Sequence, residues 1–211
     1  MEVIVYIPIL FFSIVLHEFA HGLAAYRLGD DTAYLSGRLT LNPLHHIDPI
    51  GTLAVPAFCW LVGLPLFGWA KPVPINPLRM PSPRRDMGKV AFAGPAVNLL
   101  LAVLCVLVMK IFLVMQTSFS LRTLEQLFNF LQYAMFINIF LAVFNLIPIP
   151  PLDGGRIVTA LLPIRAALKY DAFFGRYGMY VVLVLILTGG VKYILLPPTM
   201  LLVGAFSKFL M

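Results

Sequence analysis

Residues 3–26 form an apolar run in which three side chains are out of place in lipid: His17, Glu18 and His21. At 1.5 Å per residue in a helix, the run is long enough to cross a hydrocarbon core of about 30 Å. Lipid offers the backbone no hydrogen-bond partners, so such a segment must be helical. The three polar groups must then face protein or a water-filled cavity, a costly placement that points to function. Residues four apart lie one above the other on a helix, so His17 and His21 can turn imidazole nitrogens toward one zinc ion. Glu18 sits beside them, placed to take a proton from water at the metal. A catalytic zinc usually has three protein ligands and one open position. One ligand is therefore still to be found.

The rest of the chain is equally apolar. Of 211 residues, 61% are hydrophobic and 11% charged, with a mean hydropathy of +0.94, whereas soluble domains carry about 25% charge. Further apolar segments at 90–115, 131–147 and 177–196 predict an all-α polytopic membrane protein with about four to six transmembrane helices. The chain reads as a single domain over 1–211, its core spanning about 3–160 and its C-terminal helices about 161–211. Residues 50–68 are apolar but hold Gly51, Pro56, Gly63, Pro65 and Gly68, the pattern of a re-entrant segment packed within protein. Tyr34 to Leu41 alternates as a short membrane-associated β segment would. Residues 69–89, 116–130 and 152–176 read as loops, and the tail after Pro197-Pro198 as too short to be assigned as a span. Cys59 and Cys105 fall in apolar runs and read as small buried hydrophobes. The N-terminus has no basic region, and the first apolar segment carries the histidines, so the segment is expected to be retained.

The formal charge of +6 is explained by anchoring of loops at the membrane; nothing resembles a nucleic-acid motif. If 50–68 is re-entrant, one side holds Arg27, Arg38, Lys71, Arg79, Arg84, Arg85, Lys89, Arg156, Arg165, Lys169 and Arg176, eleven basic residues, against Lys110, Arg122 and Lys192 on the other. If 50–68 crosses fully, Arg27 and Arg38 change sides and the split becomes nine to five. Cytosolic loops carry the excess of Lys and Arg, so the first topology is favoured. It makes the protein an integral, multi-pass one whose site opens toward the cytosol.

Asp153 leads the candidates for the third ligand. It follows a span directly, with Pro148-Ile149-Pro150-Pro151 before it and Gly154-Gly155 after it. The prolines end the helix and the glycines permit close backbone approach, a frame that holds a carboxylate in a fixed direction. An N-cap on a helix over 154–163 fits the local pattern equally well. Glu2 lies at the far end of its helix, and Glu125 and Asp171 are expected in solvated loops; His45 and His46 sit in a proline-bounded turn, weaker candidates that come next after Asp153 and could also reach the site to support a ligand or gate access.

Together these segments resemble a known family. The His-Glu-x-x-His in an N-terminal span, Asn42-Pro43-x-x-His46-x-Asp48-Pro49, Gly68-Trp69-Ala70-Lys71-Pro72-Val73-Pro74, Gly94-Pro95-x-x-Asn98 and Asn145-x-x-Pro148 followed by Leu152-Asp153-Gly154-Gly155 resemble the site-2 protease family of intramembrane zinc metalloproteases. The likeness runs from about residue 10 to about residue 160. It implies one Zn2+ held by His17, His21 and Asp153, with Glu18 as general base. It also implies that Asn98 steadies the substrate carbonyl or its oxyanion, where the bare pattern equally allows a helix–helix hydrogen bond. The segment after the first span would be the family's β-structure, able to pair with an unwound substrate. Where the family commonly has Gly-Asn-Pro, this chain has Ala93-Gly94-Pro95. Neither a PDZ insertion nor a nucleotide-sensing module is expected, so the chain reads as a minimal core.

The expected activity is hydrolysis of peptide bonds in or near transmembrane helices of membrane-protein substrates in the bilayer, that is, regulated intramembrane proteolysis; self-association as a homo-oligomer stays open. A catalytically silent zinc-binding scaffold would have no use for Glu18. A metal transporter would spread polar ligands through several spans.

Overall fold

The computed structural model describes residues 2–63, 68–114 and 121–209. Its long elements are α1 (Glu2–Arg27), α4 (Pro83–Val114), α5 (Leu121–Asn145), α7 (Ile164–Leu187) and α8 (Gly190–Lys208). Shorter helices lie between them: α2 (Thr32–Leu35), α3 (Val55–Leu61) and α6 (Asp153–Leu161). Helices α1, α4, α5 and α7 contain four stretches long and apolar enough to cross a membrane, as lipid requires of a spanning chain. The protein is an all-α polytopic membrane protein.

Helix α4 is the centre of the bundle and packs against α1, α5 and α6. Its meeting with α5 is closed by Ala102, Val106 and Met109 on one side and Leu131, Met135 and Ile139 on the other. Helix α8 lies across that seam, adding Leu202, Val203 and Phe206. Large residues such as Leu100, Leu104 and Ile111 stay exposed on α4, as expected where the solvent is hydrocarbon and outward apolar faces cost nothing.

Several expectations are corrected by this architecture. Tyr34 to Leu41 is not a strand, and no strand occurs among the described residues. Asp30 takes the amide of Thr32 and starts one helical turn, and Gly37 has a left-handed φ of 65°, which breaks the alternation. Side chains use what would be ladder groups: Arg38 donates to the carbonyls of Lys71 and Pro72, and His46 bonds the Thr40 carbonyl. Residues 50–68 enter as a π-helical turn (Pro49–Ala54) running into α3, and the apolar helix Pro49–Cys59 is too short to span. The segment is helical as far as Leu61, and residues 64–67 lie outside the description.

The expected loop over 152–176 is instead α6 and most of the first half of α7. Arg165, Lys169 and Arg176 fall on one stripe of α7, four and eleven residues apart, so their charge marks a helix face. Likewise α5 begins at Leu121, inside the expected loop over 116–130, and α4 at Pro83; residues 115–120 lie outside the description. Pro197 and Pro198 do not end a span but sit within α8, as prolines can where neighbours pack around a membrane helix. The break falls at Gly189, whose φ is 72°.

Buried Asp30 ties the end of α1 to the loop that covers it, accepting from the amides of Thr32 and Asn76. Burial raises its pKa, but the Thr32 and Asn76 hydrogen bonds outweigh that and hold it below the usual carboxylate value. Its stabilisation is therefore present above an unfolded-state pKa of ~3.9 and is lost as pH falls through the lower folded value. Asp30→Ala leaves three donors unmatched, the Thr32 amide and hydroxyl and the Asn76 amide, and is expected to cost about 1–3 kcal/mol, read as an earlier midpoint in denaturant titration at pH 7.

Candidate metal centre

Three buried donors converge where α1, α4 and α6 meet. His17 Nε2 lies 3.1 Å from Asp153 Oδ2, His21 Nε2 lies 3.2 Å from the same oxygen, and the two Nε2 atoms are 3.0 Å apart. The i, i+4 spacing on α1 brings the two imidazoles together. Asp153 reaches them because α5 stops at Asn145 and the proline-rich turn returns the chain into α6. There the helix begins at Asp153 itself, with Leu152 in the capping position. The N-cap reading of Asp153 is thereby overturned: its carboxylate turns to the histidines. Burial raises its pKa, yet the hydrogen bonds to His17 and His21 prevail and hold it at about 2, so it is ionised at neutral pH.

The geometry fits a tetrahedral zinc. Ligand atoms at 2.0–2.2 Å from a tetrahedral centre are separated by roughly 3.3 Å, close to the triangle of donors present. The far nitrogen of each imidazole is also spoken for, as metal-binding histidines require. His21 Nδ1 is 2.7 Å from the Val90 carbonyl and His17 Nδ1 is 2.6 Å from Asn98 Oδ1. Among the described residues, His17, His21 and Asp153 are the one group of three arranged to hold a metal ion.

Helix α4 approaches this triangle with bare backbone. A Cβ placed on Gly94 would stand 2.5 Å from His17 Cε1 and from His21 Nε2, so only glycine fits there. Gly154 does the same for the turn after α5, since a side chain would run into the Leu146 carbonyl.

Glu18 faces a cavity of about 670 Å³ that also reaches His17, His21 and Asp153. Its Oε2 accepts from the Val73 amide at 3.0 Å, which fixes the carboxylate beside the donors. The covering chain contributes Pro72, Val73, Ile75 and Pro77, and the opposite wall includes Arg84, Asn145, Arg156 and Asp171. Asp171, expected in a solvated loop, is on α7 and accepts from Thr159 at 2.5 Å. His45 is exposed and His46 is buried against the Thr40 carbonyl; neither lines the cavity.

Asn98 is placed behind His17. It is fully buried, its Oδ1 bonds His17, and its Nδ2 donates to Asn138 Oδ1 at 2.8 Å and lies 3.4 Å from the Ser13 carbonyl. Its amide hydrogens are directed to Asn138 and the Ser13 carbonyl, and its oxygen to His17. Ser13, Asn138, Val73 and the carbonyl of Val90 are parts of the site that motif reading passes over. For Ser13 and Asn138 a signal existed, since polar side chains inside apolar spans are costly.

Two histidines and an aspartate that could hold a metal ion, with a glutamate beside them at the same cavity in a bundle of apolar helices, make this a candidate membrane metallohydrolase site. The comparisons with known proteins give the family. The profile of Peptidase family M50 matches residues 5–189, and the chain belongs to that family; it is a metalloprotease. It is 41% identical over 192 residues to "Putative zinc metalloprotease YwhC" of Bacillus subtilis, covering 88% of this chain and 81% of that one. It is 35% identical over 144 residues to "Putative zinc metalloprotease Rip2" of Mycobacterium tuberculosis, covering 67% of this chain and 51% of the relative. The protein of the same name from Mycolicibacterium smegmatis is 32% identical over 178 residues, 83% of this chain and 64% of its own. The chain thus spans about half of the M. tuberculosis relative. No solved structure matches this chain.

A methyl group at position 94 would displace both imidazoles. Gly94→Ala is expected to weaken divalent-metal binding about 10- to 100-fold, the range seen when ligand orientation is disturbed, as measured by competition with a chromophoric chelator.

Proposed function

We propose that this protein is an intramembrane zinc endopeptidase that cleaves membrane-protein substrates in or near their transmembrane helices, with His17, His21 and Asp153 as zinc ligands and Glu18 as general base. The observation that carries the reading is the triangle of three buried donors, 3.0–3.2 Å apart, opening onto a cavity that Glu18 also lines. The relatives' printed names agree on zinc.

Zinc, when bound, would supply Lewis acidity, polarising a scissile carbonyl and making a water at the site easier to deprotonate. The remaining work belongs to the chain. His17 and His21 offer Nε2 because their Nδ1 atoms are engaged elsewhere. Asp153 brings a full negative charge that offsets part of the metal's. Glu18, held by the Val73 amide, takes the proton of the attacking water and returns it to the leaving amine, a role worth typically 10²–10⁴ in rate. The low-dielectric walls strengthen each of these charge interactions.

Depth and orientation support a substrate drawn from the membrane. His21 precedes Arg27, the end of α1, by six residues, roughly 9 Å along the helix. The basic residues gather on the side of the loop over 28–82 and of α6, which the positive-inside rule assigns to the cytosol. A peptide entering the cavity has to be extended, because helical hydrogen bonds shield its carbonyls.

The discriminating experiment compares wild type with Glu18→Gln and Asp153→Ala in detergent, against a panel of single-span substrates. Glu18→Gln is expected to keep stoichiometric zinc and lose cleavage by at least about 10²-fold, while Asp153→Ala loses the zinc. A wild type that binds zinc yet cuts no member of the panel would favour a silent scaffold. Full zinc in Asp153→Ala would remove Asp153 from the ligand set.

A further inference from the structure

Besides the histidines, five acidic or basic side chains line the cavity at the metal centre: Glu18, Asp153, Asp171, Arg84 and Arg156. Four of them are committed within the protein. Glu18 accepts from the Val73 amide, Asp153 faces the two histidines, Asp171 accepts from the Thr159 hydroxyl, and Arg84 donates to the Leu162 carbonyl at 2.6 Å. Arg156 is different. Among the described residues its guanidinium has neither a hydrogen bond nor an ion pair.

Its place is set by α6. Residues three apart form a ridge along a helix, and Asp153, Arg156 and Thr159 are such a ridge, all of them on the cavity. The helix cannot turn that ridge away, because Ala160 meets α4 where residue 88 is glycine. A Cβ on Gly88 would stand 2.5 Å from that of Ala160. Asp153 is buried and Arg156 exposed, so the ridge runs outward from the metal triangle, by about 4.5 Å between these two residues. A peptide with its scissile carbonyl at the triangle passes Arg156 within about one to three residues of extended chain, at roughly 3.3 Å each. Anchoring at a membrane surface accounts for a basic residue directed at headgroups, but not for one on the wall of the reaction chamber.

The surroundings narrow what the free guanidinium can take. It offers a planar fork of donors that matches a carboxylate at two points. Glu18 and Asp171 line the same cavity and repel a doubly charged phosphate more than a singly charged carboxylate. We propose that Arg156 is a specificity-determining residue, binding a carboxylate that the substrate chain carries close to the bond to be cut. That carboxylate belongs to an acidic side chain or to the end of a chain, which present the same two oxygens. The inference rests on the protease reading above and adds to it which substrates are taken and where they are cut.

The test uses the full-length, zinc-loaded chain in detergent and a set of Leu/Ala peptides capped at both ends, each with one Glu moved residue by residue along the peptide. A matching Gln set lacks the charge, and an uncapped set without Glu carries only the terminal α-carboxylate. In wild type the cut, located by mass spectrometry, is expected to keep a fixed distance from the Glu and to move with it. Values of kcat/KM should be about 10- to 100-fold higher for Glu than for Gln peptides, as for a hydrogen bond between charged groups. Arg156→Gln should remove both the preference and the fixed register while keeping the zinc content of wild type. Arg156→Glu should favour peptides with Lys in place of Glu. A preference confined to the uncapped set assigns the carboxylate to a chain end. Equal rates on all three sets in wild type overturn the proposal, and so does a preference that Arg156→Gln retains. A merely structural role slows every peptide by the same factor, which overturns it too. Should Arg156→Gln not fold, judged by its thermal midpoint, Arg156→Lys keeps the charge without the fork and should show a reduced preference of the same sign. If wild type cuts no peptide, the protease reading fails by itself. Equilibrium binding of fluorescein-labelled Glu and Gln peptides to metal-free wild type and Arg156→Gln then decides the proposal by the same preference.

Discussion

The structure depends on keeping two imidazoles and a carboxylate buried in an apolar bundle without leaving any of them unmatched. An unpaired polar group in such a place costs several kcal/mol, about as much as a small domain has to spare. Here each inward-facing atom of the three ligands meets another, and each outward-facing imidazole nitrogen meets a carbonyl or amide oxygen of α4. That requirement explains why α4 is central. It must come close enough to supply Val90 O and Asn98 Oδ1, and it does so only because residue 94 has no side chain. The packing of apolar residues between α4, α5 and α8 then fixes the distance from the far side.

The cavity follows from the same arrangement. Helix α1 presents Glu18 one residue away from His17, so it looks toward the loop over 69–82 and not toward α4. Two of the loop residues nearby, Pro72 and Pro74, have no amide hydrogen, and the amide between them, at Val73, is the one that bonds Glu18. A stiff, donor-poor segment thus borders the cavity with one hydrogen bond directed at Glu18. Its other attachments, to Asp30, Arg38 and His46, hold that cover from the protein side.

Sequence reading picked out the residues that cluster more completely than it did the architecture, for physical reasons. His17, Glu18, His21 and Asp153 were visible because ionisable groups beside or within apolar runs are expensive. The first span was visible because its run is long and unbroken. What escaped were elements whose local signals disagree with their surroundings. Helix α7 reads as a basic loop until its three cations are seen to share one stripe. Helix α8 hides behind Pro197-Pro198, which would end a helix in water. The alternation of residues 34–41 is real, but Asp30 and Gly37 set the backbone otherwise, and among the described residues there is no strand to pair with it. The position of Asn98 behind a histidine could not be read at all from one sequence, since the histidine it bonds is 81 residues away.

The chain of amides below His17 has a further meaning for a protein set in an energised membrane. A polar cavity that reaches deep into a bilayer invites proton leak if acids, bases or water continue beyond it. Under the metal centre the polar groups that continue are two carboxamides and a hydroxyl, each bonded to the next and buried. Such groups orient hydrogen bonds but neither release nor take up protons at neutral pH. They extend the polarity that His17 needs and end it within the bundle, among groups that do not titrate.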